Sequence, residues 1–213
     1  MANGAFNINF GCGTHAPQHW RNFDASLRVW VDKLPFLKGF GYKPRFAPWV
    51  RRLNVTKPLP FATASTAHIY SSHLIEHLTR TEALAFLREC RRLLKPNGRI
   101  RLMTPNLSLM VNDYLDRKNN PEYSATAADQ FMEWLGMSPT QKPNPLAMIW
   151  NGGRDKNLHQ WIYDENSLKH LLEEAGFVRV TGKVNWVSDY PDLDALEPAD
   201  LRVASSCAEG YRP

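Results

Sequence analysis

Apolar and polar residues alternate through Phe6-Asn7-Ile8-Asn9-Phe10, and the run ends in Gly11-Cys12-Gly13. A period of two that stops at a glycine turn predicts a short strand leading into a close backbone turn, the usual opening of an α/β domain. Trp20 to Asp24 predicts a second strand that ends on a carboxylate, Val50 to Val55 a third and Ala67 to Ser71 a fourth. The spacing then changes. Thr79-Arg80-Thr81-Glu82 has the form of a capping box, and Leu84, Leu87, Cys90 and Leu94 follow at helical intervals until Pro96-Asn97-Gly98 stops the helix. Arg99 to Thr104 alternates as a strand again, so this stretch predicts a βαβ unit.

Residues 107–158 are less regular. Helices are predicted near Met110 to Leu115 and Ala128 to Leu135, among turn formers at Pro139, Pro143, Pro145 and Gly152-Gly153. Asp164 can cap a helix that carries Leu168, Leu171, Leu172 and Ala175 and closes at Gly176, before a strand from Phe177 to Val184. A last strand is placed between Leu201 and Ala208. No internal repeat or low-complexity tract interrupts this order.

The chain has 213 residues, 43% of them hydrophobic, enough for one substantial core, so a single domain over 1–213 is expected, with insertions at about 27–50 and 107–158. No run of about twenty apolar residues spans a bilayer, and Met1-Ala2-Asn3-Gly4 lacks the basic and apolar regions of a signal peptide, so a cytoplasmic location is expected. Cys12, Cys90 and Cys207 lie far apart and are odd in number, the pattern of reduced structural thiols and not of a zinc or redox site.

Glycines at 11 and 13 let the backbone approach a ligand, and Asp24 at the end of the next strand would offer a carboxylate to ribose hydroxyls. These residues alone also fit an ordinary strand-to-loop turn with a solvated aspartate. Further segments follow in order: Lys57-Pro58-Leu59-Pro60-Phe61, Ile69 to Leu78 as IYSSHLIEHL, Leu93 to Arg99 as LLKPNGR, His159 to Asp164 as HQWIYD, and Leu171 to Phe177 as LLEEAGF. With the first two strands, this set resembles the successive motifs of small bacterial class I methyltransferases that use S-adenosyl-L-methionine (SAM), over most of the chain apart from the two insertions.

The resemblance implies a Rossmann-like α/β fold with a mostly parallel seven-stranded sheet and helices on both faces. It implies SAM as cofactor, with Gly11, Cys12 and Gly13 passing its methionine part, Asp24 holding the ribose, Asn54 and Val55 flanking the adenine, and Ser72 closing the site. Asn9 stands where many class I enzymes carry an acid, His15 where they carry a third glycine, and Asn54 where an aspartate is common. Family members often act in surface-glycan or small-metabolite biosynthesis, which implies a sugar or metabolite hydroxyl as acceptor.

Two rival readings stay open. One is a SAM-binding protein without transferase activity. The other is a nicotinamide-dependent oxidoreductase, because Gly11 to Ala16 fits G-x-G-x-x-A; against it, Asp24 comes earlier than the acid that follows that fingerprint by about twenty residues.

Methyl transfer is an in-line displacement that needs alignment and exclusion of water, and a hydroxyl acceptor gains from a base. His73 directly follows the fourth strand, at the sheet edge where ligands bind in open α/β folds, and is the first candidate. Glu76 and His77 lie one helical turn on; they either join the site or brace the turn. His73 to His77 also fits the zinc signature H-x-x-E-H, but that signature requires a long helix and a further carboxylate, whereas here it follows a strand, so no metal is expected. His159, Trp161 and Tyr163 are candidates for a second wall of the acceptor pocket, His159 with a possible catalytic part; an aromatic core is the alternative.

The net charge of +5 is concentrated locally. Arg28, Lys33, Lys38, Lys43, Arg45, Arg51 and Arg52 accompany a single acid, Asp32, and are interleaved with Trp30, Phe36, Phe40, Tyr42, Phe46 and Trp49. Such a mixture suits an anionic membrane surface or a lipid-linked glycan. Nucleic acid is the weaker choice, since no recognition helix or stacking module is present, and a loop whose aromatics plug the core is the plain alternative.

Overall fold

The computed structural model describes residues 6–34, 36, 41–136, 158–198 and 203–213. Seven strands, β1 (Phe6–Phe10), β2 (Arg21–Asp24), β3 (Arg51–Arg52), β4 (Thr66–Ser72), β5 (Leu94–Pro105), β6 (Val178–Val184) and β7 (Ser205–Tyr211), form one sheet in the order β3-β2-β1-β4-β5-β7-β6. From β3 to β5 every pair is parallel, and β7 runs antiparallel between β5 and β6. The helices are α1 (Arg28–Val31), α2 (Arg80–Leu93), α3 (Leu107–Lys118), α4 (Ala127–Trp134), α5 (Glu165–Glu174) and α6 (Leu193–Leu196), with a 3₁₀ turn at Ile75–His77. Among the described residues, no helix is long and apolar enough to cross a membrane.

Local chemistry explains where the two long packed helices begin. Thr79 and Glu82 form a reciprocal capping box at the start of α2, and Asp164 and Ser167 form another at the start of α5. Each box satisfies two backbone N–H groups that the first helical turn leaves without partners. The apolar stripes of both helices, Phe86, Leu87 and Cys90 on α2 and Leu168, Leu171 and Leu172 on α5, pack on Ile8, Phe10, Ile69, Ile100 and Leu102 of the sheet. Because side chains alternate across a strand, Tyr70 points to the other face, where it packs with Trp20, Tyr190, and Leu193 and Leu196 of α6. Helices therefore cover both faces.

Several boundaries differ from the sequence expectation. Only Arg51 and Arg52 of the third predicted strand pair with β2, because Asn54 accepts hydrogen bonds from the Thr56 N–H and hydroxyl and turns the chain away. The helix ends at Leu93, and the Pro96-Asn97-Gly98 turn lies within β5, with Asn97 at φ +59° and a register shift between the Thr66 and His68 pairs. The last strand begins at Ser205 and runs to Tyr211, later than expected, in a register that pairs Arg99 with Tyr211 and Arg101 with Glu209. The predicted helices of the second insertion are present as α3 and α4; its residues 137–157, with Pro139, Pro143, Pro145, Gly152 and Gly153, lie outside the described residues, as do Lys38, Phe40 and Leu201.

Candidate active site

β1, β2, β3 and β4 all end on the same edge of the sheet, and their C-terminal ends surround a cavity of about 360 Å³. Gly11, Cys12 and Gly13 after β1, Asp24 and Ala25 after β2, Leu53 and Val55 after β3, and Ser72 and His73 after β4 all line it. Such a crevice at the carboxyl ends of parallel strands is where open α/β sheets bind ligands.

The turn after β1 requires glycine for two reasons. Gly11 and Gly13 have φ of +68° and +52°, in the left-handed region, and a Cβ at Gly11 would come within 3.1 Å of Leu74. At Gly13 nothing lies within 4 Å of the missing Cβ, so the backbone is bare toward the cavity. The Gly13 N–H donates to Asp24 Oδ2 at 3.3 Å and the Ser26 N–H to Oδ1 at 2.9 Å, which fixes the carboxylate at the cavity wall.

Asn9 also lines the cavity, and its amide answers why no acid stands there. Nδ2 donates to the His15 carbonyl at 2.9 Å and to Asn22 Oδ1 at 3.1 Å, two acceptors that a carboxylate could only oppose. The buried Asn9 Oδ1 has no hydrogen-bond partner in the protein, and the Ser72 hydroxyl lies at the same cavity beside that of Tyr70. An orphaned buried acceptor beside a bare glycine backbone, a fixed carboxylate and a serine hydroxyl fits a polar ligand of the adenosyl amino-acid kind.

Other predicted residues fall elsewhere. Asn54 is exposed and its Oδ1 is engaged with Thr56, while its neighbours Leu53 and Val55 face the cavity. Cys12 lines the cavity and also packs with Val29, Phe46 and Val50, anchoring the first insertion.

His73 and His77 also line the cavity. His73 has φ +47°, a strained conformation for a residue with a side chain, and its Nδ1 lies 3.3 Å from Glu76 Oε1. Glu76 is 1% exposed and sits behind the two histidines. Burial raises its carboxyl, but the His73 contact and the neighbouring His73 and His77 rings outweigh that and hold it below its ordinary value.

His159 packs on His77, ring centroids 5.0 Å apart, one layer behind the cavity wall. Burial pushes its imidazole below the ordinary value, against the pull of Glu76. Trp161 and Tyr163 do not form the expected second wall. The Gln160 and Trp161 N–H groups are drawn to the Glu76 carbonyl, Trp161 is left 47% exposed, and the Asn106–Tyr163 bridge takes Tyr163 into the core.

The family model for the methyltransferase domain matches residues 8–181. The chain belongs to this methyltransferase family. Similar solved structures include a SAM-dependent methyltransferase from Methanosarcina mazei (12% identity, 100% of this chain and 94% of that chain, TM-score 0.54) and the apo SAM-dependent methyltransferase SibL (15%, 98% and 50%, TM-score 0.52). Human N-acetylserotonin methyltransferase in complex with SAM is a third (13%, 97% and 47%, TM-score 0.52). The chain thus spans about half the length of the last two. No curated protein matches the sequence. These likenesses concern the fold, and the strand order with its antiparallel β7 is the expected class I Rossmann-like methyltransferase architecture.

Several residues of this methyltransferase's cavity were not singled out from the sequence. Thr14, Ala25, Leu53, Tyr70 and Leu196 all line it, and so does Arg45 of the basic insertion. Tyr70 was within reach, because it alternates with Ile69 and Ser71 on a strand already predicted. Arg45, marked in the sequence only for its charge, comes from the first insertion and Leu196 from α6, and no local spacing places either at the cavity.

Proposed function

We propose that this methyltransferase binds SAM in the cavity at the β1, β2 and β4 ends and methylates a hydroxyl of a small polar acceptor, a sugar or another metabolite. The observation that carries the reading is the joining, in one cavity, of a bare glycine turn, a fixed carboxylate and two histidines. When bound, SAM supplies an electrophilic methyl group on a sulfonium. Gly11 and Gly13 admit the amino-acid part to the backbone, and Asp24 accepts from ribose hydroxyls. Asn9 Oδ1 and Ser72 Oγ offer acceptors to the ligand's N–H and O–H groups. Val55 and Leu53 give the adenine an apolar wall.

On the acceptor side, His73 is placed to take the hydroxyl proton, with Glu76 holding its ring at Nδ1. The acceptor reaches the cavity past the basic insertion. There Asp32 pairs with Arg28 at 3.4 Å and accepts from the Tyr42 hydroxyl and the Arg45 and Phe46 N–H groups, and among the described residues neither Arg45 at the cavity nor the exposed Arg51 forms an ion pair. Exposed Trp30, Phe36 and Trp49 flank these cations, which favours an acceptor that is anionic or is presented at an anionic lipid surface.

Isothermal titration tests the reading. Wild type should bind SAM or S-adenosylhomocysteine and not NAD, and Asp24→Ala should weaken that binding by roughly tenfold to a hundredfold, about 1.5–3 kcal/mol. Binding of NAD alone would overturn the assignment. With an acceptor in hand, His73→Ala should lower turnover about a hundredfold while SAM affinity stays within a few-fold; unchanged turnover would remove His73 from the chemistry.

A further inference from the structure

Behind the cavity wall, one ligand atom from each of Glu76, His77 and His159 lies within 4.8 Å of the other two. We infer that these three side chains form a binding site for a first-row divalent cation such as zinc. The H-x-x-E-H spacing does not produce this set, since it would use His73 and His77 on one helix. The fold instead adds His159 from the far side of the second insertion.

Ring orientation is fixed in a way that suits ligation. His77 Nδ1 faces the Leu158 carbonyl at 3.2 Å and His159 Nδ1 faces the Leu135 carbonyl at 2.7 Å. A carbonyl only accepts, so Nδ1 carries the proton in both rings and, in the neutral form, Nε2 carries the lone pair. Metal-binding histidines are held by this kind of backbone contact. Gly136, at φ +63°, packs so closely that a Cβ there would stand 2.6 Å from His159 Nδ1, and the Gly136 carbonyl accepts from the His159 N–H at 3.0 Å. The segment is clamped to the 3₁₀ turn as well, because the Gln160 and Trp161 N–H groups both donate to the Glu76 carbonyl.

The carboxylate supplies the second argument. Glu76 is buried, yet its contacts, His73 Nδ1 at 3.3 Å and the Thr104 hydroxyl at 3.4 Å, are both long, and Oε1 makes no regular hydrogen bond. No short hydrogen bond occupies these buried carboxylate oxygens, so a cation can be coordinated by them without breaking one. Two imidazoles and one carboxylate are a common three-ligand set for zinc and leave a fourth position open. Closing the cluster to the roughly 3.3 Å edges of a tetrahedral site asks for movements of about 1 Å. His77 is also part of the cavity wall, so an ion held there would lie beside the acceptor end. Its use on a hydroxyl oxygen rests on the function proposed above; its binding does not.

Tag-free, chelator-treated protein is titrated with Co²⁺, read by its visible d–d absorption, and with Zn²⁺, read by calorimetry and by the rise in Tm. Wild type should take up about one equivalent, and His159→Ala should bind at least about tenfold more weakly and lose the Zn²⁺-dependent rise in Tm. His170→Ala, which removes an exposed histidine outside the cluster, should bind as wild type does. A SAM titration of the His159→Ala protein in chelator shows whether its cavity is intact. Wild type that takes up no equivalent, or folded His159→Ala that binds the ion as tightly as wild type, overturns the site. SAM binding without any ion binding overturns this inference alone, and ion binding without SAM binding overturns the proposed function alone.

Discussion

The two faces of the sheet are buried to the same degree by different physics. Ile100 and Arg101 are adjacent on β5 and both are 0% exposed, but they point opposite ways. Ile100 enters an apolar layer with Leu87 and Leu171, where contacts are numerous and non-directional. Arg101 enters an ionic layer. Its Nε and Nη2 lie 2.6 and 2.8 Å from the Glu197 carboxylate, and its Nη1 lies 2.8 Å from Glu209. Arg99 adds bonds to Asp189 at 2.7 Å and Glu209 at 3.3 Å, and the Ser188 hydroxyl donates to Glu209. The apolar face tolerates loss of a methyl group because its neighbours share the contact. The ionic face depends on each partner, since Arg101, Glu197 and Glu209 would keep a charge in a place that water does not reach.

The comparison is broken most directly at Arg101. Arg101→Ala removes the two-pronged partner of the buried Glu197 and one of the two guanidinium groups at Glu209, and should cost about 3–5 kcal/mol in chemical denaturation; a cost under about 1 kcal/mol would show that the acids shed their charge or reach water, and that the faces are not so different. The same face continues to the cavity at Asn9, where a donor is required by two acceptors. Asn9→Asp restores the acid common in class I enzymes but should destabilise this chain by roughly 1–3 kcal/mol, whereas a neutral outcome would mean that His15 and Asn22 rearrange freely. The smallest effect belongs to the apolar face: Ile100→Val should cost about 0.5–1.5 kcal/mol in the same denaturation series. A larger loss there than at Arg101 would invert the comparison.

Legibility followed the range of the interaction. The β1 alternation, the Gly11 and Gly13 turn and the Thr79–Glu82 box were readable because each is decided within a few residues. That Gly11, Gly13, Asp24 and Ser72 come together was readable for the same reason, as each lies at or just after the end of a predicted strand, and they line one cavity. Asn54 was displaced from it by a local Asx turn that competes with the strand. The histidines were visible as residue types, but the packing of His77 on His159 was not, because residues 107–158 separate them and carry no periodicity that fixes their path.

Arg99 and Arg101 show the same division at larger scale. Their alternation with Ile100 and Leu102 was sufficient for a strand, since a period of two is a property of the chain itself. Whether those arginines met water or acids depended on which strand would lie beside β5. β7 inserts antiparallel between β5 and β6, and its register brings Glu209 opposite Arg101 while the loop before β7 brings Glu197 over it. Short-range sterics and burial patterning act along neighbouring residues and leave their mark in the order of amino acids. Charge partners and ligand sets act through space, between segments that only the completed sheet brings together.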